Sequence, residues 1–377
     1  MKPLSVLSFY KNNRRKVLPV SLTVFLSVSL LFILQVLVDS SFYLTYLVFV
    51  EPQEHYSSIS ARTELISPEL VETVKGWDSV DEVLPWLFQH TYLSTVIDST
   101  GSKVLTVKRG DMERLMTLFS LRVKSGRLPD AGKNEIALHE LVAANKNLKE
   151  GGKIGSKVNG GEALSGEYSI VGILEGPSVI SFSSLEYWME EYKIKDPFCY
   201  GMILLPKKGY AEKLDSQLAD LPYQGLDIRT ADSVRKEYES SASGGRLIIN
   251  IIDLTVIAIV SICTGFLCYV YFNQRRAEFG ILNAIGYTRR QIIRKAFIEV
   301  GVMSAAGLAA GLLASVPACV LLNAFVLMPR GQLLKLWNPE YIFSTLCIPI
   351  FVTVFSVIPV WRMLDKLDPV EIIEGKA

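Results

Sequence analysis

The run VLPVSLTVFLSVSLLFILQVLV, residues 17–38, contains no charged side chain. A helix that spans the hydrocarbon core of a bilayer needs about 20 mostly apolar residues, and this run provides them. Three more runs of this kind follow, at residues 247–272, 300–328 and 341–361. One such run could be a buried helix of a soluble protein. Four runs of spanning length instead predict an α-helical membrane protein with four transmembrane helices.

The first run could also be read as a secretory signal peptide. Its basic flank, residues 11–16, would suit such a peptide. However, its apolar stretch is longer than the usual hydrophobic region of a signal peptide, and no small-x-small cleavage site follows it. The chain continues with the bulky sequence VDSSFYLTYLVFV, residues 38–50. We therefore expect a retained anchor helix.

The basic residues near the ends of the runs predict the topology. The segment before the first run and the segment 273–299 are both rich in Lys and Arg, whereas the segment between the third and fourth runs has only Arg330 and Lys335. Short loops with an excess of Lys and Arg remain in the cytoplasm. We therefore expect both termini and the 273–299 loop in the cytoplasm, and the long segment between the first two runs outside.

The long segment after the first run reads as a mixed domain. The stretch TYLSTVIDSTGSKVLTVKRGD, residues 91–111, alternates like a β-hairpin, and YAEKLDSQLADL, residues 210–221, has the pattern of an amphipathic helix. LDIRTADSVRKEYESSASGGR, residues 226–246, leads from this domain into the second run. The predicted fold class is thus four transmembrane helices plus one α+β extracytoplasmic domain inserted between helices 1 and 2.

The predicted segments follow one another along the chain. They are a cytoplasmic N-terminus (1–16), helix 1 with a stalk (17–50), the extracytoplasmic domain (51–245), helix 2 (247–272), a cytoplasmic loop (273–299), helix 3 (300–328), a short outer loop (329–340), helix 4 (341–361) and a cytoplasmic tail (362–377).

The composition argues against several functions. A net charge of +1 lacks the basic footprint of a nucleic-acid-binding protein. The glycines at residues 151–166 do not form a phosphate-binding loop, and the sequence has no H-E-x-x-H, C-x-x-C or G-x-S-x-G motif. His55, His90 and His139 have no metal-ligand spacing, so each is expected at the surface or hydrogen-bonded in the core. We predict no catalytic site, no metal and no cofactor bound by this chain.

Cysteine usage adds one expectation. Cys199 is the only cysteine in the predicted extracytoplasmic domain, so this domain cannot form an internal disulfide. It must be stabilised by its own hydrophobic core.

The 273–299 loop contains an amphipathic helical pattern. On a helical wheel Phe279, Ile281, Leu282 and Ile285 fall within one arc, while Gly280, Asn283 and Ala284 face the other way. Gly286 is placed to end the helix. Such a helix either lies on the lipid surface, with its basic neighbours near anionic headgroups, or docks into a cytoplasmic partner. The pattern alone leaves both interpretations open.

The third run carries small residues at helical spacing. Gly307 and Gly311 form a G-x-x-x-G pattern beside Ala306, Ala310 and Ala314. Small residues let transmembrane helices approach closely. This surface predicts packing either within the chain's own helices or against a second membrane subunit.

Two acidic residues lie near the ends of the apolar runs. Asp253 is in the second run and Glu299 directly precedes the third. Acids at these depths belong either to a proton pathway or to the hydrated membrane surface. We expect both carboxylates to be hydrated at the surface.

The loop sequence RRAEFGILNAIGYTRRQI, residues 275–292, resembles the signature loop of FtsX-like permeases, the membrane subunits of MacB-type (type VII) ABC transporters. The resemblance extends to IEVGVMSAAGLAAGLLASV in the third run and to LDKLDPVEIIEG near the end of the chain. In the inserted domain, SGRLPDAGKNEIALHELVAANKNLKEGGKIG followed by YSIVGILEG resembles the MacB-type periplasmic core domain. The match therefore covers nearly the whole chain.

The resemblance implies a role for the loop. It implies an ATPase-coupling helix, in which family motif positions and the amphipathic residues between them contact a separate ATPase subunit. Gln291 and Glu299 would be further motif positions. The coupling residues so implied are Arg276, Glu278, Phe279, Gly280, Ile281, Leu282, Ala284, Ile285 and Gly286.

It also implies partners and a location. Two such permeases, identical or different, pair in a bacterial cell membrane with both termini in the cytoplasm, and an extracytoplasmic protein is a further partner. ATP and Mg²⁺ bind to the partner ATPase, because this chain has no Walker A motif. ATP-driven closure would move the extracytoplasmic domain, in a process called mechanotransmission. The work would be export, extraction or resistance involving a peptide, antibiotic or lipid-linked substrate.

A second class of function is a membrane-anchored receptor or regulator of an extracytoplasmic partner, without transport. A receptor that signals inward should carry a cytoplasmic signalling domain or a long tail, and only residues 362–377 follow the fourth run. A membrane enzyme is a third class, but no acid–base or nucleophile cluster supports it. We therefore favour the permease.

Overall fold

The computed structural model describes residues 14–96, 98–221, 225–335 and 339–365. These residues form two compact units. The helical unit comprises the chain up to Leu37, Gly245–Leu322 and the chain from Lys335 onward; the inserted domain comprises Val38–Gly244 and Asn323–Leu334. The predictions for residues 1–13 and 366–377, and with them most of the resemblance at the end of the chain, lie outside the described residues.

The described helices are numbered in chain order. They are α1 (Arg14–Gln53), α2 (Pro68–Lys75), α3 (Arg109–Leu118), α4 (Glu140–Asn145), α5 (Leu185–Glu191), α6 (Ala211–Ala219), α7 (Ala231–Asn273), α8 (Arg276–Ala284), α9 (Arg289–Leu322) and α10 (Pro339–Asp365). A π-helical turn, Asn323–Leu327, and a 3₁₀ turn, Met328–Arg330, follow α9.

Three helices in the described part of the chain are long and apolar enough to cross a membrane. They are Leu18–Gln53 in α1, Ala231–Asn273 in α7, and Arg289–Arg330, which is α9 with its following turns. The fourth predicted run lies in α10, whose described apolar stretch, Thr345–Phe355, is shorter than a full span. The helices continue beyond the predicted spans because hydropathy detects only the apolar part of a helix.

The glycine pattern of α9 packs inside the helical unit. Gly307 and Gly311 lie against α1, where a Cβ on Gly307 would come within 2.7 Å of the Ser21 carbonyl oxygen and 2.8 Å of the Val24 Cβ. The Ser29 hydroxyl donates to the Gly311 carbonyl at 3.3 Å. The glycines therefore let the two helices approach until side chain meets backbone.

The inserted domain is built on one sheet with ten described strands. They are β1 (Ser57–Ala61), β2 (Val80–Ser94), β3 (Ser99–Val107), β4 (Arg122–Gly126), β5 (Glu135–His139), β6 (Lys153–Ile154), β7 (Tyr168–Glu175), β8 (Ile180–Ser184), β9 (Gly201–Pro206) and β10 (Leu226–Arg229). Their order is β10-β1-β9-β2-β3-β8-β5-β7-β4, with β6 paired to β7.

The long strand β2 joins the two halves of this sheet. Its first part, Val80–Pro85, pairs antiparallel with β9, and its second part, Trp86–Ser94, pairs antiparallel with β3. The pairs β3–β8 and β5–β7 are parallel, so the sheet is mixed. The β2–β3 hairpin confirms the alternation seen in residues 91–111, and the predicted α+β class of the domain is confirmed.

The segment after α9 belongs to the inserted domain. The Asn145 side-chain amide donates to the Ser94 and Arg330 carbonyls, both at 2.8 Å, and the Gln332 amide donates to the Ser94 carbonyl at 3.1 Å. Gly331 has a φ of +61° and lies so close to the Leu141 carbonyl that a Cβ would not fit. Part of what was predicted as helix 3 and an outer loop is thus docked on the domain.

His139 is a core histidine with both ring nitrogens engaged. It is 1% exposed, its Nδ1 accepts from the Leu141 amide at 3.2 Å, and its Nε2 lies 3.2 Å from the Gly176 carbonyl, to which the neutral ring donates. Burial lowers the pKa of His139. The expectation of a satisfied histidine is confirmed at this position.

Acidification should therefore loosen the domain around His139. The folded state holds the ring neutral, so as the pH falls below about 6.5 the unfolded chain takes up a proton that the folded domain resists, and stability falls. We expect a loss of up to about 1 kcal/mol per pH unit, measured as lower protection factors for amide hydrogen exchange in β5 and α4 of the full chain, each corrected for the intrinsic exchange rate, between pH 6.5 and 5.5.

A variant separates this effect from general acid sensitivity. His139→Asn keeps a capping side chain but cannot titrate, so its exchange in α4 should depend less on pH than in the unchanged chain. His55→Asn, at a side chain that is 37% exposed, serves as the control. An unchanged pH slope in His139→Asn would contradict the assignment.

Candidate coupling site

The loop between α7 and α9 is an ordered helix–turn–helix. α7 ends at Asn273, and α8 begins at Arg276 with Arg275 as its N-cap residue. The C-terminal end of α8 is closed by two backbone bonds, from the Gly286 amide to the Asn283 carbonyl and from the Tyr287 amide to the Leu282 carbonyl, both 3.0 Å. This is a Schellman motif, and Gly286 has the positive φ, +103°, that it requires. Gly286 ends the helix as predicted.

The next helix starts with a side-chain cap. The Thr288 amide donates to the Gln291 side-chain oxygen at 2.9 Å, which is one half of a capping box. Gln291, a motif position in the family resemblance, therefore has a structural role at the start of α9.

The structure divides the predicted apolar face of α8. Phe279, 2% exposed, and Gly280 are buried, and Leu282 is partly buried. Ile281 and Ile285, in contrast, are 56% and 71% exposed. The prediction of a single apolar arc, with Gly280 facing away from it, is therefore wrong: α8 has an inner and an outer apolar surface.

The inner surface completes a small hydrophobic core. Phe279 belongs to one cluster with Phe272 from the end of α7 and with Ile292 and Ala296 from the start of α9. The Phe272 and Phe279 rings are 5.9 Å apart. A helical wheel assumes one buried side, but α8 lies between two longer helices, and this explains the error.

Below α8 lies a buried ion-pair cluster. Arg275 is 3% exposed, and its guanidinium donates to the Glu299 carboxylate at 2.8 Å, to the Glu278 carboxylate at 2.8 Å and to the Tyr271 hydroxyl at 2.9 Å. Lys295 lies 3.9 Å from the other Glu299 oxygen. The cluster joins the end of α7, the first turn of α8 and the first turns of α9.

Aromatic rings enclose the same guanidinium. The Arg275 Cζ lies 5.3 Å from the ring centres of both Tyr271 and Phe279. Such cation–π contacts are strongest where water is excluded, and planar guanidinium groups suit them. A lysine at this position could not make the same set of contacts.

The expectation for Glu299 is corrected. It is fully buried and paired with Arg275, not hydrated at the membrane surface. Asp253, also expected to be hydrated, is half-buried and accepts a hydrogen bond of 2.5 Å from the Gln35 side chain of α1. Both acids are held by polar groups of neighbouring helices, because an isolated charge at these positions would be costly.

Arg275 and Lys295 were not selected from the sequence as site residues. The family motif begins one position later, at Arg276, which is half-buried. One sequence signal could have paired Arg275 with Glu299: a basic residue follows the end of one apolar run, and an acid precedes the start of the next. The loop contains several other basic and acidic residues, however, and only the folded structure shows that Arg275 and Glu299 are the two that meet.

The predicted coupling residues thus fall into two groups. The exposed group forms the outer surface, and the rest is buried or half-buried within the loop. The exposed group consists of Glu278, Ile281, Ala284, Ile285 and Gly286, and the other group consists of Arg276, Phe279, Gly280 and Leu282.

The predicted packing residues of α9 are divided in the same way. Gly307 and Gly311 face α1, whereas Ala306, Ala310 and Ala314 are exposed. The sequence predicted that the small-residue surface packs either within the chain or against a second subunit. In the structure the glycines pack within the chain, and the exposed alanines remain available to a second subunit.

Comparison with known proteins shows which families the chain is similar to. Residues 250–369 match the family described as FtsX-like permease C-terminal. Two curated relatives, both called putative hemin transport system permease protein HrtB, come from two strains of Staphylococcus epidermidis. Each is 26% identical over 298 residues, covering 75% of this chain and 77% of the relative.

Two solved structures show weak similarity to part of the chain. The periplasmic region of MacB from Actinobacillus actinomycetemcomitans is 13% identical, with a TM-score of 0.29, and covers 50% of this chain and 94% of that one. The extracellular domain of YknZ from Gram-positive bacteria is 12% identical, with a TM-score of 0.27, and covers 46% of this chain and 100% of that one. At these scores the likeness adds nothing to the fold already described.

The family match covers α7 from residue 250, the loop with its Arg275–Glu299 cluster, α9 and α10. The curated relatives extend the similarity over most of the chain. The chain is a multi-pass membrane protein that is similar to permease subunits of ABC transporters, and its residues 250–369 match the FtsX-like permease C-terminal family.

Proposed function

We propose that this permease transmits the movement of a separate ATPase to its inserted domain, and that the outer surface of α8 is the ATPase docking site. We define that surface by Glu278, Ile281, Ala284, Ile285 and Gly286. The observation that carries the proposal is the exposure of Ile281 and Ile285, on a helix whose other apolar residues, Phe279 and Leu282, are buried or partly buried.

The fixed position of α8 relative to α7 and α9 supports this role. A docking helix can transmit a force only when it cannot move independently of the helices that it packs against. Arg275 connects α8 to α7 and α9 through Glu278, Tyr271 and Glu299. A force on the outer surface would therefore reach α7 and α9 directly.

The long helices support transmission to the inserted domain. α1 and α7 contain 40 and 43 residues, and each has residues in both compact units without a break in the helix. At 1.5 Å per residue such helices are about 60 Å long. The segment after α9 is also docked on the domain, so three chain connections could carry the movement.

A permease of ABC type implies an ATPase partner. We propose that ATP and Mg²⁺ bind to that partner and that the permease pairs with a second, identical or different, permease. We also propose that the loop 273–299 and both termini are cytoplasmic, which the basic residues of the loop favour. The inserted domain then lies outside the cell membrane and can contact an extracytoplasmic protein.

Affinity purification of the tagged chain from its native membrane tests the docking site. The unchanged chain should recover an ATPase subunit, and the double variant Ile281→Ser, Ile285→Ser should recover at least about tenfold less. Burial of each isoleucine is worth about 1.5–3 kcal/mol, and 1.4 kcal/mol corresponds to tenfold in affinity. Leu65→Ser, at a position that is 61% exposed in the inserted domain, is the matched control.

The other outcomes are equally informative. Equal recovery from the double variant and the control would show that α8 only rests on lipid. Recovery of no ATPase by the unchanged chain under mild conditions would favour the receptor alternative.

The name of the two relatives suggests a second candidate for the cargo. Both are named as hemin transport permeases, so we propose hemin beside the peptide, antibiotic and lipid-linked classes. Cells that lack this chain should then be inhibited by lower hemin concentrations than cells that carry it. Equal inhibition of both would remove hemin from the candidates.

A further inference from the structure

We propose that the inserted domain contains a binding site for a small organic anion with a flat apolar body, in a cleft built around Lys103. The cleft, here called the Lys103 cleft, has a volume of about 390 Å³. Ligand pockets commonly start at about 300 Å³. The inference concerns the inserted domain alone and holds whether or not α8 docks an ATPase.

The amine of Lys103 is buried without a carboxylate partner. The residue is 3% exposed, and its Nζ donates to the Gln53 side-chain oxygen at 2.8 Å, to the Tyr56 hydroxyl at 3.3 Å and to the Phe49 carbonyl at 3.4 Å. All three acceptors are neutral, and no carboxylate in the described part of the chain forms an ion pair with this amine. A buried ammonium normally has an acidic partner.

A second cation makes the cleft more positive. Arg229 also lines it, and burial, together with the Arg229 charge, lowers the pKa of Lys103 to about 7. Asp227 pairs with the Arg229 Nε at 3.0 Å, and the exposed Arg62 lies at the rim. The charged groups on the cleft are thus three basic residues and one acid, a balance that favours an anion.

The hydrogen bonds around Lys103 are pre-arranged. Gln53 is 1% exposed, and its amide nitrogen donates to the Tyr56 carbonyl at 3.0 Å and to the Arg229 carbonyl at 3.1 Å. This orientation presents the Gln53 oxygen to the amine. The polar floor of the cleft is therefore held in place by groups that are themselves bonded.

Part of the remaining wall is aromatic. Phe49, Trp86 and Phe88 line the cleft, and Phe88 is 44% exposed. The row continues along β2, where the rings of Phe88 and His90 are stacked 5.8 Å apart. Flat apolar ligands stack on such rings, while the cations would bind a carboxylate or a similar group.

A purely structural role does not explain the lysine. Burial disfavours its charged form, so between the folded and unfolded pKa values, about 7 and 10.5, domain stability should rise with pH as the cost of burying the charge disappears. A methionine would fill the same space without that cost. Groups kept in an unfavourable state within a cleft mark functional sites.

The test uses the full chain in lipid nanodiscs and two probes of the same shape. These are 1-naphthaleneacetate, an anion, and 1-naphthaleneacetamide, its neutral analogue, and binding is measured by calorimetry. The anion should bind at least tenfold more tightly than the amide. Lys103→Met should lower anion affinity tenfold or more and leave amide affinity unchanged, whereas the exposed control Lys208→Met should change neither.

Two further measurements keep the result decisive. In thermal unfolding below pH 7, Lys103→Met should be at least as stable as the unchanged chain. Misfolding would then not explain a loss of binding. Hydrogen exchange should show protection by the anion at Phe49–Gln53 and Asp227–Arg229. Equal affinity for anion and amide, no anion binding at millimolar concentration, or protection only outside the cleft would overturn the proposal.

Discussion

Replacing Arg275 with methionine should destabilise the helical unit by about 3–5 kcal/mol. The change removes the partner of Glu299, whose carboxylate is fully buried, and breaking a buried pair on one side leaves an uncompensated charge. Lys295, 3.9 Å from Glu299, can move closer and would bring the loss toward the lower value. Reversible unfolding in mixed detergent micelles, followed by tryptophan fluorescence, measures the difference.

Removal of both charges should destabilise the helical unit less than removal of the Arg275 charge alone. We expect Arg275→Met with Glu299→Gln to recover at least half of the loss, because the fully buried carboxylate that lost its partner is then removed as well. Arg276→Met, the same chemical change one residue later, is the control and should cost less than about 1 kcal/mol. If the double variant were as unstable as the sum of the two single variants, the pair would not act as a unit.

Replacing Gly307 with leucine should prevent α1 and α9 from packing, at a cost of roughly 3 kcal/mol or more. Even a Cβ would lie 2.7 Å from the Ser21 carbonyl oxygen, and a backbone atom cannot move unless α1 moves. The expected destabilisation therefore lies at the upper end of the range for substitutions that overpack a core. The yield of monodisperse protein after detergent extraction, and its unfolding midpoint, should both fall.

The exposed alanines provide the comparison. Ala310→Leu changes the neighbouring face of α9 and should leave the stability of a single chain unchanged. If a second permease packs there, the same variant should lower the dimer fraction in cross-linking experiments. A stable Gly307→Leu chain would contradict the packing of α9 on α1, and an unaffected dimer in Ala310→Leu would place the permease interface elsewhere.

The membrane character of the protein could be predicted from the sequence because it depends on local composition. An uncharged run such as residues 17–38 is too apolar for water whatever its neighbours are. The end of α8 at Gly286 was predictable for a similar reason, since a left-handed backbone position favours glycine locally. The β2–β3 hairpin also follows from alternation within one short stretch.

The arrangement of the site depends on contacts between distant residues, and periodicity could not predict it. Phe279 and Ile281 have similar hydrophobicity, yet one is buried against Phe272 and Ile292 and the other is exposed. Which basic residue of the loop meets Glu299 depends on how α7, α8 and α9 pack. The docking of residues 323–334 on the inserted domain is a contact of the same kind.

The sequence by itself determined the apolar helices, the inserted α+β domain and the position of the loop, because hydropathy and turn chemistry act over a few neighbouring residues. Only the tertiary structure decided that Arg275 and Glu299 form a buried pair, that Gly307 faces α1, and that Lys103 lies at the floor of a cleft. The burial of a charge is set by every element that packs around it, and those elements are far apart in the chain.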